Sequence, residues 1–189
     1  PAFPDADYEG LVVTSDDWPP LLRPDCLADA HSYTAWERHM VATCADDSAS
    51  PETIVATLER NARIVRSVSP ATGAAIVNAI EQLPAGHVHV PVPEALDASL
   101  VHYHEVLKAV PDEWRPEADT RNLAECYRQY VADRWIAFDA PLRRYLAAKA
   151  FASWTAYQGR GFLTIVRGLE AALALTGADA VDAALLWSA

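Results

Sequence analysis

Apolar residues recur every three or four positions along most of the chain, the spacing of α-helices that bury one face. The clearest stripe predicts a helix over about 28–44. It consists of Tyr33, Trp36, Met40 and Cys44. A second stripe, in the helix that follows, consists of Ile54, Leu58, Ala62 and Val65. Each of the two helices is expected to bury its stripe.

Capping residues and prolines mark where these helices begin. The Ser-Pro-Glu sequence at 50–52 predicts the start of the second helix, because serine caps a first turn, proline fits there and glutamate favours the positive end of the helix dipole. The Ser-Pro pair at 69–70 gives the same signal for a third helix to about residue 82, with Ile76 and Ile80 inward. The Pro-Ala-Gly sequence at 84–86 then breaks the chain.

The second half of the chain continues the helical pattern. Helices are predicted over about 94–110, 117–138, 139–157 and 162–175, with a last one from Asp179. The inward face of the longest consists of Leu123, Tyr127, Tyr130, Val131, Trp135 and Phe138. Asp139 and Pro141 are expected to cap the helix that follows, and Gly177 to end the helix over 162–175. The prediction is an all-α fold, an irregular bundle of seven or eight helices.

The N-terminal part of the chain lacks this pattern. Residues 1–27 contain five prolines and six acidic residues, which predicts an extended acidic lead-in to a single helical domain over 28–189. Residues 11–13 could form a short strand or a docked extended segment, and Trp18 is expected to pin the lead-in to the body. The chain begins at Pro1 without Met and ends at Ala189 within an apolar helical pattern, so we expect it to be a fragment.

Composition argues against several kinds of partner and of location. The chain carries 26 acidic residues against 15 Lys and Arg, a net charge of −11, which disfavours nucleic acid and anionic membranes. No apolar run reaches about 18 residues, so no membrane span is predicted. The cysteines are three, widely spaced and without a CxxC pair: Cys26, Cys44 and Cys126. They are typical of reduced thiols in a cytoplasmic protein.

The region 141–169 departs from this acidic character, since it contains five basic residues and no acidic one. Together with nearby aromatic and amide side chains they form the candidate ligand-binding set Arg143, Arg144, Lys149, Trp154, Tyr157, Gln158, Arg160 and Arg167. One interpretation is internal pairing with the acidic lead-in or with Glu125, Asp133 and Asp139. The other is a cleft for an anionic small molecule or a partner protein. The Gly-Arg-Gly sequence at 159–161 is typical of a helix–helix turn.

Histidine pairs supply a weaker signal. His87 and His89 would share a face of an extended segment and could bind one metal ion, although a chance pair in a linker explains them as well. His102 and His104 would point to different sides of a helix, but His102 and Glu105 could share an ion. The sequence contains no nucleophile elbow, phosphate-binding glycine loop or HExxH motif.

Two stretches resemble the YkgJ-type cysteine-cluster proteins, a zinc- or iron-chelating group that includes the flagellin lysine-N-methylases. They are RRYLAAKAFASWTAYQGRGFLTIVRGLEAALAL, within 142–175, and RPDCLADAHSYTAWERHMV, which is similar to the helix after the cluster. The closely spaced cysteines of that family are absent from this chain. The resemblance therefore implies a helical accessory or substrate-recognition domain, not catalytic alone and without its own cofactor, with the metal or iron–sulfur centre in a longer parent protein.

Two alternatives remain open beside the resemblance. The chain could be an all-α binding domain for an anionic small molecule, with the basic set as its site. It could also be a metalloenzyme with His87 and His89 as ligands. The sequence alone leaves open whether the chain is an enzyme.

Overall fold

A computed structural model describes residues 20–89, 123–151 and 159–188. Of these residues 71% are helical, in six helices of eight residues or more, with one small two-stranded sheet. This agrees with the all-α prediction, but not with seven or eight helices; the helix predicted over 94–110 lies outside the described residues. The elements are β1 (Leu21–Arg23), β2 (Cys26–Leu27), α1 (Ala30–Ala45), α2 (Pro51–Arg66), α3 (Gly73–Glu81), α4 (Leu123–Tyr130), α5 (Ala132–Trp135), a 3₁₀ turn (Ile136–Phe138), α6 (Asp139–Ala150) and α7 (Phe162–Ser188).

The first two helices begin with side-chain caps. Asp29 accepts a hydrogen bond from the Ser32 amide at 2.7 Å at the start of α1. Ser50 accepts one from the Thr53 amide at 3.3 Å at the start of α2, as predicted. Each cap satisfies an amide that the first turn leaves without a partner.

The core lies where α7 packs along α2 and α6 packs along α1. All eight residues of the two predicted stripes are buried. The centre is aromatic: the ring of Trp36 in α1 stacks on that of Phe162 in α7, with centroids 5.4 Å apart and planes 4° from parallel. Burial of these apolar faces is the main stabilising contribution to a bundle of this size.

Two predicted boundaries at glycine and proline are wrong. Helix α3 is capped by Thr72 rather than by Ser69. Helix α7 does not end at Gly177 but runs through Asp179 to Ser188, a length of 27 residues from Phe162. A glycine inside a helix costs only about 1 kcal/mol, so a single glycine need not end the helix.

The helix predicted over 117–138 is also shorter than expected. It is described from Leu123 and is interrupted at Val131, after which α5 and the 3₁₀ turn lead into α6. The predicted inward residues Tyr127, Val131 and Trp135 are buried, but Phe138 is 52% exposed. The indole of Trp135 donates to Glu52 in α2 at 2.9 Å, which fixes the bend against the start of α2.

Helix α6 ends at Ala150, where Phe151 turns extended, short of the predicted end near residue 157. Part of the predicted lead-in is also not a plain extended segment, because residues 21–27 form the β1–β2 hairpin around Asp25, whose φ is +62°. The rest of the lead-in, with Leu11–Val13 and Trp18, lies outside the described residues. None of the described helices combines the length and apolar character that a membrane crossing requires.

Candidate functional site

The predicted basic set does not face one place. Arg167 donates to Glu59 in α2 at 2.6 Å and also bonds Glu170 in its own helix. Arg143 donates to the Ala49 carbonyl at 3.3 Å. These two cations therefore make contacts within the chain. The carboxylate that Arg167 meets on another helix is Glu59 of α2, however, and not Glu125, Asp133 or Asp139 as the sequence suggested.

The other cations of the set lie at the surface. Arg144 and Lys149 are exposed on α6, with the Lys149 ammonium 5.5 Å from the centre of the Tyr145 ring. Arg160 is exposed in the turn before α7, outside the helix that contains Arg167. Trp154, Tyr157 and Gln158 lie outside the described residues. Internal pairing of the whole basic set is therefore not observed, because a turn and the outer face of α6 place three of the five cations at the surface.

The predicted histidine pair is split as well. His87 is half-buried and lies 3.0 Å from Asp46, through its Nε2 and the carboxylate Oδ2, whereas His89 is exposed. His102, His104 and Glu105 lie outside the described residues. Within 20–89, 123–151 and 159–188, no three His, Cys, Asp or Glu side chains come together in a way that could hold a metal ion. The three cysteines are free thiols, of which Cys44 is buried.

A polar cleft of about 400 Å³ opens between α1, α2 and the segment after α3. Its volume falls in the range of small-molecule sites, about 300–1,000 Å³. The polar side chains that line it are His39, Thr43, Asp46, Thr57, Asn61, Glu81 and His87. Only His87 among them belongs to a predicted site.

The cleft is closed on one side by residues 84–88, which four hydrogen bonds hold against the helices. The Arg60 guanidinium donates to the carbonyls of Pro84 and Gly86, at 3.2 and 3.0 Å. The Val88 amide donates to the Thr57 hydroxyl at 2.9 Å, and His87 meets Asp46 at the end of α1. The wall is therefore preformed, which lowers the entropic cost of binding a ligand.

Hydrogen bonds also define the proton on His39. Arg60 Nε donates to Asn61 Oδ1 at 3.0 Å, which assigns the orientation of the amide. Asn61 Nδ2 must then donate to His39 Nε2, also at 3.0 Å, so His39 carries its proton on Nδ1. Burial, and then the nearby Arg60 charge, lower the pKa of His39. This imidazole is a neutral acceptor in the floor of the cleft.

Asp46, the C-cap of α1, supplies negative charge to the cleft. The Ser48 hydroxyl and amide donate to its Oδ1 at 2.6 and 2.9 Å, and these bonds, followed by that of His87, lower the pKa of Asp46 to about 2. It is therefore ionised at neutral pH. Glu81, at the end of α3, adds a second carboxylate to the rim. The rim of the cleft therefore carries two carboxylates, whereas the Arg60 guanidinium is occupied by the carbonyls of Pro84 and Gly86.

The arrangement suits binding better than catalysis. The Thr57 hydroxyl donates to Thr53 and the Thr43 hydroxyl donates to His39, both to backbone carbonyls, so neither is poised as a nucleophile. His87 is oriented by a carboxylate, as a general base often is. Its other nitrogen, Nδ1, is shielded from solvent and has no partner among the described atoms. A base in that position would not meet a substrate proton without movement of residues 84–88.

Sequence reasoning missed His39, Asp46 and Asn61 because no local pattern unites them. They lie on two helices, and the His39–Asn61 contact joins residues 22 positions apart. The one signal in the sequence was the Pro-Ala-Gly break at 84–86, which ends the helical pattern after α3. In the structure these residues line the cleft. Comparison of the chain with protein-family models, curated proteins and solved structures gives no match.

Proposed function

We propose that the chain is a helical recognition domain, without catalysis of its own, whose cleft receives the ammonium group of a lysine side chain. The observation that carries the proposal is the preformed cleft with the ionised Asp46 and with Glu81 at its rim. An ammonium group offers three donors and a point charge, which the carboxylates can satisfy, while the neutral His39 adds no opposing charge.

The resemblance to the lysine-N-methylase-containing family supports the same ligand class independently of the cleft. In that reading the domain is an accessory or substrate-recognition part of a longer cytoplasmic protein, and the metal or iron–sulfur chemistry belongs to the parent. The polar groups of the cleft are mainly hydrogen-bond acceptors and carboxylates. This lining suits a single cationic side chain better than a large cofactor.

The proposal is tested by a pair of matched ligands. Nα-acetyl-lysine amide and its uncharged analogue Nα-acetyl-norleucine amide are titrated at neutral pH, and the backbone amide shifts of residues 85–88 are followed by NMR. The lysine derivative should bind saturably and the norleucine derivative should not. Asp46→Asn and Glu81→Gln should each weaken binding about tenfold, the effect of removing a charged hydrogen-bond partner.

Asp47→Asn is the control, because Asp47 is exposed in the turn after α1 and does not line the cleft. It should leave the affinity unchanged. Equal binding of the lysine and norleucine derivatives would show that charge is not recognised and would end the proposal, as would a lysine titration without saturation.

A further inference from the structure

Four arginines gather at the end of α2, on the side of the molecule where the hairpin and the start of α7 meet. Arg63 and Arg66 belong to the last turn of α2. Arg23 of β1 donates to the backbone carbonyls of Arg66 and Val68, at 2.6 and 3.1 Å. Arg160 stands in the turn next to Gly161, whose Cα packs directly on the carbonyl of Leu21 in β1. Three elements therefore bring these side chains together.

Counter-charge for the group is scarce in the described part of the chain. Arg63 pairs with Glu59 at 2.7 Å, but Glu59 is also bonded to Arg167. The guanidinium of Arg23 is engaged by carbonyl oxygens, which carry no net charge. Arg66 Nε is shielded from solvent and makes no hydrogen bond to a described atom. A buried donor of this kind is costly unless something accepts from it.

Electrostatics within the cluster agree with this geometry. Desolvation, followed by the charges of Arg160, Arg63 and Arg23, lowers the pKa of Arg66. The carbonyl end of the α2 dipole eases part of this repulsion, yet it offers no acceptor to Nε. The net charge of −11 does not abolish a local attraction for anions, because charges beyond about 10 Å are screened at ordinary ionic strength.

We infer that Arg23, Arg66 and Arg160 form a binding site for a doubly charged oxyanion, the phosphate group of a small molecule. Arginine forks match the oxygens of phosphate, and a dianion would relieve the repulsion among three cations while accepting from the buried Nε. The site is separate from the cleft, which carries carboxylates, so the two differ in ligand charge. Of the basic residues singled out in the sequence it uses Arg160 alone.

The test is calorimetric titration of the full chain with inorganic phosphate, at an ionic strength held constant with sodium chloride. Saturable binding of one phosphate is expected. Arg66→Met and Arg160→Gln should each weaken it about tenfold, the loss of one charge-assisted contact. Arg144→Gln, an exposed arginine on α6, is the matched control and should bind as the wild type does.

Two further arms identify the ligand class. Glycerol 3-phosphate should bind about as well as inorganic phosphate, and acetate much more weakly, because one carboxylate carries half the charge. Acetate binding equal to that of phosphate would overturn the assignment to a dianion. A titration of the wild type without saturation would show that groups within the chain already neutralise the arginines. That result would overturn the proposed phosphate site.

The melting temperature without phosphate separates binding from a structural role. If the cations repel one another in the empty site, Arg160→Gln should leave the melting temperature unchanged or raise it while weakening phosphate. A clear fall in the melting temperature of that variant would mean that Arg160 is a structural contact, and would contradict the proposal. Phosphate raises the melting temperature of many proteins by exclusion from their surface, so only the binding isotherm decides affinity.

Discussion

Arg167 Nη2 lies 2.6 Å from Glu59 Oε1, and this ion pair joins the last helix to the second across 108 positions of the chain. Glu59 also bonds Arg63 on its own helix, so one carboxylate serves two guanidinium groups. The pair lies along the α2–α7 contact, one of the most extensive in the described part of the molecule. A basic residue singled out in the sequence thus stabilises the fold rather than facing a ligand.

Removal of this pair should cost little, because both side chains are partly solvated, with 35% and 27% of their surface exposed. Arg167→Met should lower the free energy of unfolding by about 1 kcal/mol, the upper end for partly exposed pairs. Arg128→Met is the control, since its pair with Glu125 is far more exposed, and it should cost less than about 0.5 kcal/mol. Urea denaturation measures both; an equal cost for the two variants would contradict the assignment.

The stacked pair Trp36 and Phe162 predicts a larger effect. Trp36→Ala should lower the free energy of unfolding by about 3–5 kcal/mol, since it leaves a cavity in the core. Trp36→Phe should cost less, because it also removes the indole N–H, which is buried and has no hydrogen-bond partner among the described residues. Phe138→Ala, at a side chain 52% exposed, should cost less than about 1 kcal/mol. Loss of stability by Phe138→Ala as large as that by Trp36→Ala would place the core elsewhere.

His39 predicts a pH dependence of stability. Its pKa is lowered in the folded chain from the ordinary value of 6.5, so the unfolded chain binds more protons just below that pH. The free energy of unfolding should therefore fall as the pH drops below about 6.5, and level off beneath the folded pKa. A protonated His39 could no longer accept the hydrogen bond from Asn61, and its positive charge would be repelled by Arg60.

The measurement compares unfolding of the wild type and His39→Gln between pH 8 and pH 5. The wild type should lose more stability than the variant over the acid part of this range. His31→Gln, at an exposed position of the same helix, should follow the wild type. Identical profiles for the wild type and His39→Gln would show that His39 does not titrate with folding.

Glycine at 161 is required by both conformation and space. Its φ is +64°, and a methyl group there would collide with the Leu21 carbonyl. Gly161→Ala should therefore lower the free energy of unfolding by more than Gly86→Ala, where φ is +88° but the surrounding space is open. The second change should cost about 1–2 kcal/mol, the conformational penalty alone. Equal costs in urea denaturation would mean that the contact with β1 is not tight.

Local chemistry accounts for the parts of the fold that the sequence predicts. The cap at Ser50 and the stripe that contains Ile54 depend on neighbours within one or two turns, so the pattern specifies them directly. The extent of α7 does not follow from such signals. A single glycine is a weak stop, and whether a helix continues past it depends on the tertiary packing of the residues around it.

The candidate sites depend almost entirely on contacts between distant residues. Asp46 and His87 are 41 positions apart, and Arg23 and Arg66 are 43 apart. The HxH spacing pointed to His87, but its neighbour His89 is exposed and plays no part in the cleft. The basic run likewise pointed to Arg160, whereas its companions Arg23 and Arg66 come from other elements. Composition within a short stretch cannot show which side chains the fold will gather.

The fit between Gly161 and Leu21 also has a consequence for the order in which the molecule is made. During synthesis the hairpin leaves the ribosome about 140 residues before the glycine that must rest against it. Domains begin to fold while translation continues, yet this contact cannot form before residue 161 has been synthesised. Until then the Leu21 backbone of β1 lacks its native contact and can form a non-native one. Nascent chains truncated before residue 161 would show such misfolding.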